Sequence, residues 1–253
     1  MIVAVVGKGG TGKTTVSSLL TRSFLDNNIK PLLAVDADPN HCLDAKLGVE
    51  VETTIGDIRE DSIKLKYEAS AGRTKQEIVE TEVQQAIIES RGFDLLVMGR
   101  QEGPGCYCYL NNLLRSQIDK LGKAYNTIII DNEAGMEHLS RRTNAGVDTM
   151  LFVCNPTRLS IRTVSNLKKL ADSLDFRIDN KYLILNRCNG TIPDNLKVEL
   201  EKTGMAVLGM VPDDPEILEC ELQDKSVFSL DNNSGTLQII DSMVKNIIDN
   251  GGT

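Results

Sequence analysis

The first chemical signal is eight consecutive residues, Gly7-Lys8-Gly9-Gly10-Thr11-Gly12-Lys13-Thr14. They complete the spacing G-x-x-x-x-G-K-[ST], a phosphate-binding pattern. Glycines let backbone N–H groups turn inward onto phosphate oxygens, and a helix starting at the loop's end adds partial positive charge. Lys13 is placed to reach the β- and γ-phosphates of a nucleotide, and the Thr14 hydroxyl to ligate Mg²⁺. Gly9, Gly10, Thr11, Gly12 and Thr15 make up the remaining expected nucleotide contacts. Lys8 is an addition to the pattern, and so early in the loop it is badly placed to serve the phosphates of its own subunit.

Acidic residues stand at matching places further along. Asp36 and Asp38, in Asp36-Ala37-Asp38-Pro39-Asn40, are two apart at the end of an apolar run and point the same way. Beside a triphosphate they could position Mg²⁺ waters or the attacking water. Asp131 closes the apolar run 127–130, where a carboxylate is expected to hold Mg²⁺ through water. The stretch Asp131-Asn132-Glu133-Ala134-Gly135 then leaves through a glycine and can rearrange with the γ-phosphate. Each acid also has a plainer reading, as a turn or helix-cap residue. Asn186, followed by Arg187, ends another run and could pair its amide with an adenine edge, although Asn there is also a turn former. Val211-Pro212-Asp213 could wall the base pocket.

These residues need rigid elements to carry them. Apolar, β-branched runs recur at 2–6, 32–36, 94–98, 127–131, 150–153, 182–186 and 207–210. Helical spacing separates them, first at 14–27, where Val16, Leu19, Leu20, Phe24 and Leu25 recur on one side. Strand, glycine loop and helix is the context the phosphate pattern requires. The whole predicts an α/β fold: one phosphate-loop NTPase domain over 1–253, with a mostly parallel sheet of seven or eight strands covered by helices on both faces. Ligands in such sheets sit at the carboxyl ends of the strands, where the polar residues named above all fall. The polar stretch 50–89 reads as a surface insertion with a helix near 75–89, and 236–248 as a helix packed on the domain.

Composition narrows the function classes. A net charge of −8 argues against broad nucleic-acid binding and against docking on anionic membranes. Arg141-Arg142, the obvious candidate for a local basic patch, reads as a solvated helix face. No apolar stretch reaches the length of a membrane span, and the first strand begins at the N-terminus without a leader, so a cytoplasmic location is expected. Of six cysteines, Cys42, Cys154, Cys188 and Cys220 lie far apart and read as core thiols.

The lysine at the second loop position, the Asp-x-Asp-Pro after the second strand and the Asp-x-x-x-Gly after the acidic strand resemble the deviant-Walker ATPase family. That family includes the MinD and ParA ATPases, the nitrogenase iron protein and metal-cofactor assembly ATPases. The likeness spans nearly the whole chain. Residues 131–138 together with Cys106-Tyr107-Cys108 most closely resemble the CooC-type ATPases that mature nickel carbon monoxide dehydrogenase. The resemblance implies that Lys8 crosses a homodimer interface to the partner's nucleotide and stabilises transition-state charge. It implies that Asp38 orients the hydrolytic water with Asp36 assisting, and that ATP joins two subunits face to face until hydrolysis releases them.

Cys106 and Cys108 sit on the glycine-proline loop 103–105, ahead of a helical pattern at 110–121. A nearby helix N-terminus lowers a thiol pKa and favours the metal-binding thiolate. In an extended backbone the two sulfurs face one side. Two thiolates leave a tetrahedral site half built, and a symmetric dimer would supply the pair twice, for Zn²⁺ or Ni²⁺. On spacing alone they are equally two surface thiols or a redox pair. The resemblance implies metal. A [4Fe–4S] cluster bridging the dimer is an alternative for Cys106 and Cys108, but not in the manner of the nitrogenase iron protein, because 131–138 contains no cysteine. His41 and His138 could ligate metal, though surface roles are commoner for such histidines. The sequence therefore predicts an ATPase that binds ATP or ADP with Mg²⁺ and carries Zn²⁺ or Ni²⁺ between the subunits of a homodimer. By resemblance its client is carbon monoxide dehydrogenase, with no nucleic-acid or membrane partner. An ATP-driven iron–sulfur electron carrier, a positioning ATPase and a small-molecule kinase are the rivals.

Overall fold

The computed structural model describes residues 1–58, 81–100, 114, 116, 118, 120–133, 146–174 and 176–251. The apolar runs form β1 (Ile2–Gly7), β2 (Leu32–Ala37), β3 (Ile88–Glu89), β4 (Asp94–Val97), β5 (Thr127–Asn132), β6 (Val147–Cys154), β7 (Ile178–Asn186) and β8 (Ala206–Val211). They make one eight-stranded sheet in the order β3-β4-β2-β5-β1-β6-β7-β8. Every pairing is parallel except β3 with β4. This is the mostly parallel phosphate-loop NTPase sheet expected from the runs.

Side chains on β1 alternate between two cores, as the twofold pleat dictates. Ala4 and Val6 pack with α3 (Arg158–Ser173) and α4 (Asp194–Glu201) through Ile161, Val164, Leu196 and Leu200. Val3 and Val5 pack on the other face with α1 (Lys13–Asp26), α2 (Leu43–Leu47) and α6 (Gly235–Gly251). With helices on both faces the central strands are buried throughout, which is why they read as continuous apolar runs. α5 (Pro215–Leu222) has no fully buried residue and packs on the second of these cores only through the half-buried Ile217 and Cys220.

Three elements differ from expectation. The helix expected at 75–89 ends early: residues 81–85 are helical, but Ile88–Glu89 turns into the antiparallel edge strand β3. A two-residue strand has no periodicity to read. β6 and β7 begin at Val147 and Ile178, before the apolar runs do. These opening segments contain polar residues but still pair in register, Val147 with Ile178 and Thr149 with Asn180. There Asp148 accepts the Ile2 N–H at 2.6 Å and an Arg177 N–H at 3.1 Å, so its polarity serves the ladder rather than ending it. Cys154 and Cys188 are buried core thiols and Cys220 is half-buried against the core, but Cys42 is exposed at the start of α2, so the core reading fails there. The C-terminal helix packs inward as expected, burying Ile240, Met243, Val244 and Ile247. Among the described residues no helix is long and apolar enough to cross a membrane.

Candidate functional site

The loop joining β1 to α1 lies at the carboxyl end of the sheet, where β1 separates β5 from β6. The chain leaves β1 for β2 on one side and returns from β5 to β6 on the other, so the loop sits at a switch in strand order. Gly12 caps α1 in the left-handed region, φ 86°. A Cβ there would lie 2.1 Å from Asn186 Nδ2, so glycine is required both by conformation and by contact. Beneath the loop Asn186 donates that Nδ2–H to Thr11 O at 2.8 Å. The amide expected to read adenine is thus engaged in bracing the loop. Arg187 follows at φ 55°, exposed.

The loop folds around the carbonyl of Lys8, which accepts from Thr11 N at 3.3 Å and Thr11 Oγ1 at 2.8 Å. Lys13 Nζ reaches the same oxygen at 3.5 Å, a long contact for a buried ammonium. The Lys8 side chain is exposed, as are Gly9 and Gly10. A cation held inward on α1 and a second directed outward are two separate electrostatic tools. Thr14 and Thr15 are half-buried at the start of α1. Thr15 Oγ1 donates to Glu221 of α5 at 3.3 Å, and Lys46 of α2 forms an ion pair with the same carboxylate.

Asp36 and Asp131 lie side by side, paired in register across β2 and β5. Asp131 is buried behind the loop and accepts from Ser17 Oγ at 3.0 Å. Burial pushes its carboxyl up to about 7, and the neighbouring Asp36 charge pushes the same way. Hydrogen bonds from Thr14 and Ser17 and the charge of Lys13 oppose the rise. A carboxylate held this way beside a threonine hydroxyl is a hard-oxygen donor set that gains from an added cation. Ser17 stands three residues after Thr14, on the same side of α1. The sequence reading missed it because a lone serine inside a helix carries no signal; only that spacing could have pointed to it.

Asp36 accepts backbone N–H bonds from Asp38 at 3.0 Å, Cys42 at 2.9 Å and Leu43 at 2.9 Å. It ties off the turn after β2 and the first turn of α2, which is its plainer reading in operation. Burial still pushes its carboxyl above the ordinary range. Asp38 is less buried and accepts from Asn40 N at 2.8 Å, leaving it near the surface of the site. His41 contacts Asp44 at 3.2 Å. Cys106, Cys108, His138, Arg141, Arg142 and the switch residues 134–138 lie outside the described residues, and among the described residues no cluster of His, Cys, Asp or Glu is arranged for a metal.

Val211 is buried at the end of β8, with Pro212 half-buried and Asp213 exposed. Beyond it opens a hollow of about 520 Å³ lined by Pro212, Asp213, Asp214, Asp231, Ser234 and Thr236. Asp214 caps α5 by accepting from Glu216 N at 2.9 Å and also accepts from Thr236 Oγ1 at 2.5 Å, which fixes the two walls together.

A sheet of this order with a glycine loop, an inward lysine and a buried carboxylate on the next strand defines a phosphate-loop NTPase. Residues 2–227 match the model of the CobQ/CobB/MinD/ParA nucleotide binding domain, and the chain belongs to that family. An uncharacterized ATP-binding protein of Methanocaldococcus jannaschii is 39% identical over 250 residues, 98% of each chain. The carbon monoxide dehydrogenase accessory protein CooC of Rhodospirillum rubrum is 31% identical over 188 residues, 70% of this chain and 71% of that one. The fold is shared with the septum site-determining protein MinD of Pyrococcus horikoshii, solved in complex with Mg-ADP (TM-score 0.72, 21% identity, 99% and 97% covered).

Proposed function

We propose that this chain, acting as one nucleotide-binding domain, is a cytoplasmic Mg²⁺-dependent ATPase whose nucleotide-driven dimerisation is coupled to delivery of a metal cargo, nickel, for maturation of carbon monoxide dehydrogenase. The observation that carries the ATPase part is that the Thr14 hydroxyl and the Lys13 charge meet the Asp131 carboxyl behind the β1–α1 loop. Lys13 and the loop N–H groups bind the phosphates, and the hollow beyond Pro212 receives the base. Thr14 and Asp131 would hold Mg²⁺, which when bound neutralises charge on the phosphates. Asp131 needs Ser17 to keep its carboxylate aimed. Asp38, the less buried of the paired acids, orients the attacking water, while Asp36 holds the turn that presents it. Lys8, directed away from its own loop, serves the nucleotide of a second subunit.

The metal-delivery part is supported by likeness to CooC over 188 residues and by the C-x-C pair Cys106 and Cys108. Two such pairs brought together in a dimer provide four thiolates, which suits Zn²⁺ or Ni²⁺. The test is metal content per chain measured with oligomeric mass, with and without ATP. The expected result is one metal per dimer, lost in Cys106→Ala/Cys108→Ala while ATP hydrolysis persists. Unchanged metal content in that variant removes the thiolate site, and a brown anaerobic spectrum replaces this reading with iron–sulfur electron transfer.

A further inference from the structure

Arg22 is an arginine in an unusual place. It lies in the second half of α1, only 3% exposed, nine residues and thus about 13 Å along the helix from Lys13. Its Nη1 donates to Val227 O at 2.6 Å and to Leu230 O at 3.0 Å. Its Nη2 donates to Asn232 Oδ1 at 2.5 Å, and its Nε lies 3.5 Å from Asp26, a mostly exposed carboxylate. Most of its bonds are therefore to neutral oxygens of one segment, 227–232. A buried guanidinium is tolerated only when its donors are satisfied, so the helix and this segment are bound to each other.

The segment runs directly into one wall of the hollow beyond Pro212. Asp231 and Ser234 line that hollow, together with Asp213 and Asp214. The turn is tightened locally, with Asn233 N donating to Asp231 Oδ1 at 2.7 Å and Ser234 N to Asp231 O at 3.0 Å. These local bonds set the shape of the turn but not its place. Its place relative to the phosphate loop is set from behind by Arg22, and from the front by Thr236 on Asp214.

We propose that Arg22 is a positioning residue for the base end of the nucleotide. This rests on the reading that the hollow beyond Pro212 receives the base. α1 then fixes both ends of one ligand: its first turn holds the phosphates, and Arg22 two and a half turns later holds the far wall of the base site. The distance between phosphate and base subsites is set by a rigid helix. Arg22 touches no part of the ligand, and its effect falls on affinity for the nucleoside part alone.

Tripolyphosphate separates the two ends, since it fills the phosphate subsites and has no base. Calorimetric titration of the full chain with Mg-ADP and with Mg-tripolyphosphate is the experiment. Arg22→Met is expected to weaken ADP roughly tenfold, as for the loss of a charged hydrogen-bond set, and to leave tripolyphosphate within twofold. Asn232→Ala, at an exposed position, removes one acceptor of Arg22 and is expected to do the same to a smaller degree. Equal weakening of both ligands, or of neither, in these variants overturns the role of Arg22. Asn233→Trp crowds the hollow directly and is expected to weaken ADP alone. Unchanged ADP binding there overturns the base site and the Arg22 proposal with it. Loss there beside unaltered binding in both Arg22→Met and Asn232→Ala overturns the Arg22 proposal alone.

Discussion

Gly12→Ala tests the construction of the phosphate loop quantitatively, because the same loop contains its control. Gly10 and Gly12 both adopt left-handed backbone, φ 78° and 86°. A Cβ at Gly10 meets nothing within 4 Å, whereas at Gly12 it meets Asn186 Nδ2 at 2.1 Å. Gly10→Ala therefore costs only the left-handed penalty, about 1 kcal/mol. Gly12→Ala costs that and also displaces the Asn186 amide from Thr11 O, worth about 1 kcal/mol more. Residual strain brings its total to about 2–3 kcal/mol. Asn186→Ala alone forfeits the same hydrogen bond, about 1 kcal/mol. The two losses overlap, so Asn186→Ala should cost almost nothing in a Gly12→Ala background and its usual amount in a Gly10→Ala background. Urea unfolding of the ligand-free protein measures all five variants. Strictly additive costs for Gly12 and Asn186, or equal costs for Gly10→Ala and Gly12→Ala, refute the argument.

Asp131 makes the ligand-free protein pH-sensitive: with its carboxyl raised from 3.8 to about 7, the native state holds the proton more tightly than the unfolded chain. The penalty is absent below about pH 4, grows through pH 4–7 and is complete above, reaching at most about 4 kcal/mol. Asp131→Asn should thus be more stable than the parent at pH 8 in EDTA and converge with it near pH 4, and coincident unfolding curves at pH 8 contradict this. Lys8→Ala should lower ATP hydrolysis while leaving nucleotide binding intact, and full activity removes its cross-subunit role. Lys13→Ala should impair both, measured by nucleotide titration and phosphate release, and unaltered affinity contradicts the loop assignment.

The strands around the site were legible because both their faces are buried, which leaves nothing but apolar residues to write down. Where that condition lapses, legibility lapses too: the openings of β6 and β7 are interrupted by Asp148, Thr149, Asp179, Asn180 and Lys181 and do not read as strand, although their backbones continue the ladder. The loop was legible because phosphate contact constrains glycine positions in sequence. The contacts that hold the surrounding acid and the segment beyond β8 were not, since Ser17 and Arg22 act on residues more than a hundred positions away. Asp36 is legible as a strand-end acid, yet two of its three backbone donors, Cys42 and Leu43, depend on how the chain turns after Pro39, which spacing does not reveal. Asn186 was singled out for its amide, and the amide is used, but by the loop.

Thr15 has one hydroxyl hydrogen, and in this structure it points to Glu221. If Thr15 contacts nucleotide as proposed, a phosphate oxygen and the Glu221 carboxylate compete for that hydrogen. The loop then carries a competitive antagonist within its own chain, mounted on α5, whose Leu218 and Leu222 face solvent. Competition of this kind is reciprocal. Anything that fastens α5 in place raises the concentration of nucleotide needed to fill the loop, and anything that draws α5 away lowers it. Nucleotide in turn loosens α5 from the loop and leaves Glu221 to Lys46 alone, so occupancy of the phosphate site becomes readable at the exposed face of α5.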